Sequence, residues 1–151
     1  MKFARLASAA VVGLAVLVGG CASTLPSKQI HSTTDVYPAI GPYSQMVQTG
    51  NLYFLAGVIP LNKAGNAVQG TTIEEQTRLV LDYIGATLKS QGMSFGNVVM
   101  SNVYMKDLNE FAAMNKVYAE YFQSAAPARA TVEVARLPRD VKIEIAVIAS
   151  K

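Results

Sequence analysis

Between Thr131 and Ile148 the chain runs through two stretches of alternating residues, and the second is apolar on both alternations. Val141, Ile143, Ile145 and Val147 fall on one side of it, Ala146 and Ile148 on the other. Side chains leave a strand on opposite faces with a period of two. This run therefore predicts a strand in a sheet covered on both sides. One cover must be helical if the chain is to close a core, and oligomerisation is the expected source of the other, because a bare apolar sheet face would be a large exposed patch.

The rest of the chain supplies the other layer. Met46-Val47, the turn signal Thr49-Gly50-Asn51 and the aromatic run Leu52-Tyr53-Phe54-Leu55 predict a hairpin. Thr71 and Thr72 each have a glutamate three residues on, Glu74 and Glu75, so either opens a helix as a capping box. Ile73, Val80, Ile84 and Leu88 give that helix an apolar face, and Gly92 marks its end. Asn97 to Lys106 reads as a strand. Asp107 with Glu110 then opens a second helix in which Phe111, Met114, Tyr118, Tyr121 and Phe122 recur at threes and fours, a spacing expected of core. The order is β-β-α-β-α-β-β, an α+β fold with two helices on one face of a mixed sheet.

The two closing strands also carry the candidate chemistry. Arg129 stands at the mouth of the first, Glu144 inside the second, with Leu137-Pro138-Arg139-Asp140 between them. A planar, permanently charged guanidinium grips a carboxylate through two parallel hydrogen bonds, and a glutamate beside it handles a proton or orients a water. On residue type alone, Arg129 also fits a strand-edge arginine paired with Glu133 or Asp140, and Glu144 a surface residue paired with Lys142 or Arg139. Tyr43 also fits plain hairpin packing, and Asn115 a helix-surface amide.

The N-terminus has the pattern of an export signal. Lys2 and Arg5 precede an apolar stretch from Ala7 to Val18, shorter than the roughly 20 residues that span a bilayer, and Val18-Gly19-Gly20-Cys21 follows. Small residues before a lone cysteine resemble a bacterial lipobox. Residues 1–20 are expected to be a signal peptide and Cys21 the lipidation point, with residues 21–38 forming a tether to a domain spanning 39–151. An ordinary secreted protein with one free thiol is the alternative. Ala22 after the cysteine favours an outer-membrane lipoprotein on the periplasmic side. The only histidine, His31, falls in the tether, where a solvated side chain is expected and not a metal ligand. Cys21 is the sole cysteine, so no intrachain disulfide forms.

Of 13 basic residues, Lys2 and Arg5 lie in the leader, leaving 11 against 10 acidic ones, about +1. No stripe of Lys and Arg interleaved with aromatics remains to track a phosphate backbone, so nucleic acid is not an expected partner. The remaining 131 residues suffice for one domain.

Five segments in order and spacing, Ala39-Ile40-Gly41-Pro42-Tyr43-Ser44-Gln45, Gly57-Val58-Ile59-Pro60, Val103-Tyr104-Met105-Lys106-Asp107-Leu108, Met114-Asn115-Lys116-Val117-Tyr118 and Pro127-Ala128-Arg129 through Glu144-Ile145, resemble the RidA (YjgF/YER/UK) family of reactive-intermediate deaminases. The resemblance covers about residues 35–150. It implies a chorismate-mutase-like fold, a homotrimer, and a site at each subunit interface. There enamine and imine acids of the 2-aminoacrylate type are hydrolysed to 2-oxo acids and ammonia without metal or cofactor. It implies that Arg129 binds the substrate carboxylate, that Glu144 positions or activates water, and that Tyr43, Asn115 and Gly57 line the pocket. Two departures bear on substrate range: Ala56-Gly57-Val58 stands where the family commonly has Ser-Gly-Gln, and Thr131 where it often has cysteine. A non-catalytic module binding a small carboxylate such as a 2-oxo acid is the alternative function. A ribonuclease or translation inhibitor, as reported for some relatives, fits the export signal and the charge poorly.

Overall fold

The computed structural model describes residues 27–151; the signal-peptide and Cys21 lipidation expectations, and the first part of the proposed tether, lie outside the described residues. Six strands, β1 (Gln29–His31), β2 (Met46–Thr49), β3 (Leu52–Leu55), β4 (Val98–Met105), β5 (Ala128–Glu133) and β6 (Ile143–Ser150), form one sheet in the order β1-β2-β3-β6-β4-β5. Only the β4–β5 pair is parallel, and its crossover carries α2 (Phe111–Tyr121); α1 (Ile73–Lys89) links β3 to β4. This is the expected α+β arrangement on a mixed sheet.

Local signals act where expected. Thr72 is the cap of α1: its hydroxyl accepts the Glu75 N–H while Glu75 Oε2 accepts the Thr71 and Thr72 N–H groups. Gly50 takes φ 57° at the hairpin turn, a left-handed conformation that glycine adopts without steric penalty. Asp107 caps a single 3₁₀ turn, Leu108–Glu110, that leads into α2, so the second α-helix starts later than its capping signal suggests.

The core lies between the sheet and the helices. Ile73, Val80, Leu81, Ile84 and Leu88 of α1 and Met114 of α2 pack on Val103, Met105, Ile143, Ile145 and Val147. Each such buried aliphatic contributes roughly 1.5–3 kcal/mol. The opposite face of the sheet carries Val47, Phe54, Ile148 and Met100 in one row and Val132, Tyr104 and Glu144 in another, with Phe54 39% and Val132 45% exposed. This is the second apolar alternation of the final strand, open in the single chain.

One boundary requires correction. The segment read as a tether up to residue 38 belongs in part to the domain. Gln29–His31 pairs antiparallel with β2 as a sixth strand, and Val36 and Tyr37 are buried. His31 is no solvated linker residue either: its Nε2 lies 2.8 Å from Gln48 Oε1 and its ring stacks on Tyr53. Gln45 fastens the stretch between, accepting the Thr33 N–H and donating to the Tyr37 carbonyl. Three residues with one apolar member carry no periodicity, and this strand is held by backbone pairing and side-chain amides, not by an apolar face.

Candidate functional site

β6 carries Glu144 on the open face of the sheet, opposite Tyr104 of β4. Next to it, outside the regular strands, Val58 exchanges both backbone hydrogen bonds with Ile145, at 2.9 and 3.1 Å. That bridge lays Gly57 directly against the Glu144 carboxylate. A Cβ at Gly57 would stand 1.9 Å from Glu144 Oε1 and 2.8 Å from its carboxyl carbon, so only glycine leaves the side chain its place.

Tyr37, Ile40, Tyr43, Ala56, Gly57 and Ile59, with Pro138 at the rim, enclose a cleft around Glu144. Burial pushes the carboxyl above the ordinary glutamate range. Neither cation proposed as a surface partner reaches it: Lys142 binds Glu110, and Arg139 donates to the Asn66 carbonyl. The Tyr43 hydroxyl accepts the Ile40 N–H at 3.3 Å, which folds the Ala39–Ser44 loop over the cleft. At the rim, Arg139 and Asp140 hold φ near +58° without being glycine, a conformation that costs on the order of 1–3 kcal/mol. The Arg136 fork closes on the Asp140 carboxylate at 2.6 and 2.9 Å and braces this turn.

Arg129 lies elsewhere. It pairs across the parallel ladder with Ser101, whose side chain is buried beneath the helices, so Arg129 leaves β5 on the helix side of the sheet. Its guanidinium carbon sits 4.6 Å from the centroid of Tyr118 and 5.7 Å from that of Phe111, both on α2. Neither suggested partner takes it: Glu133 accepts the Leu108 N–H and Asp140 binds Arg136. Among the described residues it makes no ion pair. Asn115, one helical turn before Tyr118, opens onto the same cavity as Arg129, with Ala126 and Pro127.

The five site residues therefore fall into two groups. Glu144, Tyr43 and Gly57 share one cleft; Arg129 and Asn115 share another. Within one chain the expected neighbourhood of Arg129 and Glu144 is absent. Arg129 aligns with Ser101 and Glu144 with Tyr104, three residues along β4 and hence on opposite faces.

Two residues of these clefts were not singled out as functional in the sequence. Tyr37 fell in the supposed tether, yet its hydroxyl accepts the Ile59 N–H at 3.0 Å beside Glu144. Burial, the largest cause, pushes its ionisation up to about 12. Tyr118 was assigned to the core and is there, but its ring also bears Arg129. The available signal was the spacing Phe111, Asn115, Tyr118, which places all three on one side of α2.

Three comparisons bear on this arrangement. The family model described as Endoribonuclease L-PSP matches residues 33–151. A RutC family protein of Pyrococcus horikoshii is 50% identical over 125 residues, 82% of this chain and 98% of the relative. A Mus musculus protein named 2-iminobutanoate/2-iminopropanoate deaminase is 41% identical over 123 residues, 81% of this chain and 90% of the relative. Among solved structures, E. coli TdcF with bound serine superposes with a TM-score of 0.77 at 38% identity, covering 82% of this chain and 98% of that one.

Proposed function

The chain belongs to the RidA (YjgF) family, that of the endoribonuclease L-PSP model, and from that premise we propose that it hydrolyses enamine and imine acids of the 2-aminoacrylate type to 2-oxo acids and ammonia. The reaction takes place at a site shared by two copies in a homotrimer. The observation that carries this reading is the complementarity of the two clefts. One presents a cation without a carboxylate, the other a carboxylate without a cation, and each is incomplete alone. A trimer that closes the open sheet faces would bring the Arg129 cleft of one copy to the Glu144 cleft of the next.

In that site the Arg129 fork holds the substrate carboxylate, and Asn115 supplies an amide beside it. The enamine takes a proton on C3 and loses one from nitrogen, which gives the imine with its electrophilic C2. Water held by Glu144 adds to C2, passing one proton to the carboxylate while the nitrogen takes one from solvent. Glu144 then returns its proton to the nitrogen, and the carbinolamine expels ammonia as its hydroxyl releases a proton to solvent, leaving the 2-oxo acid and the carboxylate as it began. The imine carbon needs little activation, so positioning is the main contribution; well-oriented reactants gain about 7–11 kcal/mol at most from proximity. The raised affinity of Glu144 for a proton suits a base that must accept one from water. The name of the murine relative and the amino acid bound to the E. coli relative support a ligand of this class.

The test is subunit complementation. Arg129→Ala and Glu144→Gln proteins should each fail to accelerate 2-oxo acid release from imines generated by an amino-acid oxidase. Mixed by unfolding and refolding together, they should regain roughly a quarter of native activity, the share of interfaces with one intact half from each parent. No recovery on mixing, with both parents trimeric, refutes the shared site.

The apolar Ala56 in the Glu144 cleft favours a second reading, a module that binds a 2-oxo acid without turnover. Native protein whose melting temperature rises with 2-oxobutanoate but which leaves imine hydrolysis unaccelerated would establish it. A ribonuclease has less support, since Arg78, Arg136 and Lys142 are engaged by Glu120, Asp140 and Glu110. We also propose lipidation at Cys21 and an outer-membrane, periplasmic location, tested by palmitate incorporation that Cys21→Ala abolishes.

A further inference from the structure

We infer that Tyr118 is the positioning residue for Arg129, an aromatic seat that fixes the guanidinium plane before any ligand arrives. The inference deepens the proposed function and rests on its assignment of Arg129 to the substrate carboxylate. It names a residue that touches no reacting atom.

The seat is rigid from below. Tyr118 is 5% exposed, and its ring stacks on Phe122 with centroids 4.4 Å apart and planes 23° from parallel. Phe122 meets Phe95 edge-on at 5.0 Å, and Phe95 meets Tyr121 at 5.3 Å. The Tyr118 ring is thus one member of an aromatic stack anchored in α2 and the segment before β4, and Arg129 lies on its outer face at 4.6 Å. An arginine on an edge strand with no ion pair among the described residues would otherwise sample many rotamers, at about 2 kcal/mol of side-chain entropy to be lost on binding. Covering one face of the fork removes part of that loss in advance. It also leaves the in-plane N–H groups free, so a carboxylate approaches edge-on through two parallel bonds.

Two buried hydroxyls lie near the guanidinium, those of Tyr118 and Ser101, and Ser101 is the residue paired with Arg129 across the ladder. Burial pushes the ionisation of the Tyr118 hydroxyl up, and the neighbouring Ser101 hydroxyl and Arg129 guanidinium oppose that push.

Two substitutions and one spectrum test the inference. In the native full-length protein, the side-chain Nε–H and Hδ resonances of Arg129, assigned by their loss in Arg129→Ala, should lie upfield by the ring current of Tyr118. Tyr118→Phe should keep that shift and bind 2-oxobutanoate within about two-fold of native. Tyr118→Leu should lose the shift and bind about ten-fold more weakly, the middle of the cation–π range, raising KM with little change in kcat. Arg129 resonances at their unshifted positions in the native protein overturn the inference, whether or not the leucine variant folds. So does unchanged affinity in a folded Tyr118→Leu. If native protein neither binds 2-oxobutanoate nor accelerates imine hydrolysis while the ring-current shift is present, the proposed function fails and the seat stands.

Discussion

The two clefts hold opposite charges by opposite means. Arg129 stands at an exposed edge strand and is held by the face of a buried ring, an attraction that tolerates water and leaves the cation available. Glu144 sits in a central strand and is held by the close approach of backbone at Gly57, in surroundings dry enough to raise its affinity for a proton. A fixed charge can be displayed on the surface without changing its state. Burial shifts a carboxyl's titration upward, and at Glu144 it comes with backbone so close at Gly57 that no Cβ fits beside the carboxylate. In the proposed site the first cleft serves binding and the second chemistry, so each half should break without the other.

The largest effect expected is on chemistry. Glu144→Gln should lower turnover by about 10²–10⁴-fold, the range for losing one acid–base group, while 2-oxobutanoate affinity measured calorimetrically changes little. Gly57→Ala comes next. Its methyl would displace the carboxylate, and turnover should fall about 10²-fold as for an ångström-scale misplacement, with the fold intact by circular dichroism. Equal activity of the alanine protein would show that the 1.9 Å approach is relieved at no cost.

The pH response sharpens the difference further. Because burial raises the native affinity of Glu144 for a proton, kcat/KM should climb with pH through a value above the ordinary glutamate range, and Glu144→Gln should lose that limb. Stability carries the matching sign. The native state binds the extra proton between the unfolded carboxyl value and the raised native one, so stability falls as pH rises across that window. Denaturant midpoints of the native and Gln proteins should converge below it. The smallest effect belongs to the outer edge of the cation's seat. Phe111→Leu, removing a ring 5.7 Å from Arg129, should weaken 2-oxobutanoate binding by no more than a few-fold, worth about 0.5–1 kcal/mol at an exposed site.

Much of this architecture was legible in the residues because each signal was local. The capping box at Thr72, the hairpin turn at Gly50 and the alternation of β6 depend on neighbours a few positions away, and all three stand where the pattern put them. β1 was not legible, since three residues with one isoleucine have no period to read and acquire a strand only by pairing with β2. The same holds for the site. Arg129, Glu144, Tyr43, Asn115 and Gly57 could be named from type, spacing and resemblance. That they divide into two clefts depends on the parallel register of β4 and β5, in which Ser101 meets Arg129 while Tyr104 meets Glu144.

By itself the order of residues determined which elements form, which faces are apolar and which side chains carry charge suited to an acidic ligand, because these follow from period, capping and ionisation. Only the tertiary structure decided that the acid presses on Gly57, that the cation rests on Tyr118, and that the two point away from each other in one chain. Such pairings join residues as far apart as Gly57 and Glu144, and the register of strands, a property of the whole sheet, fixes them.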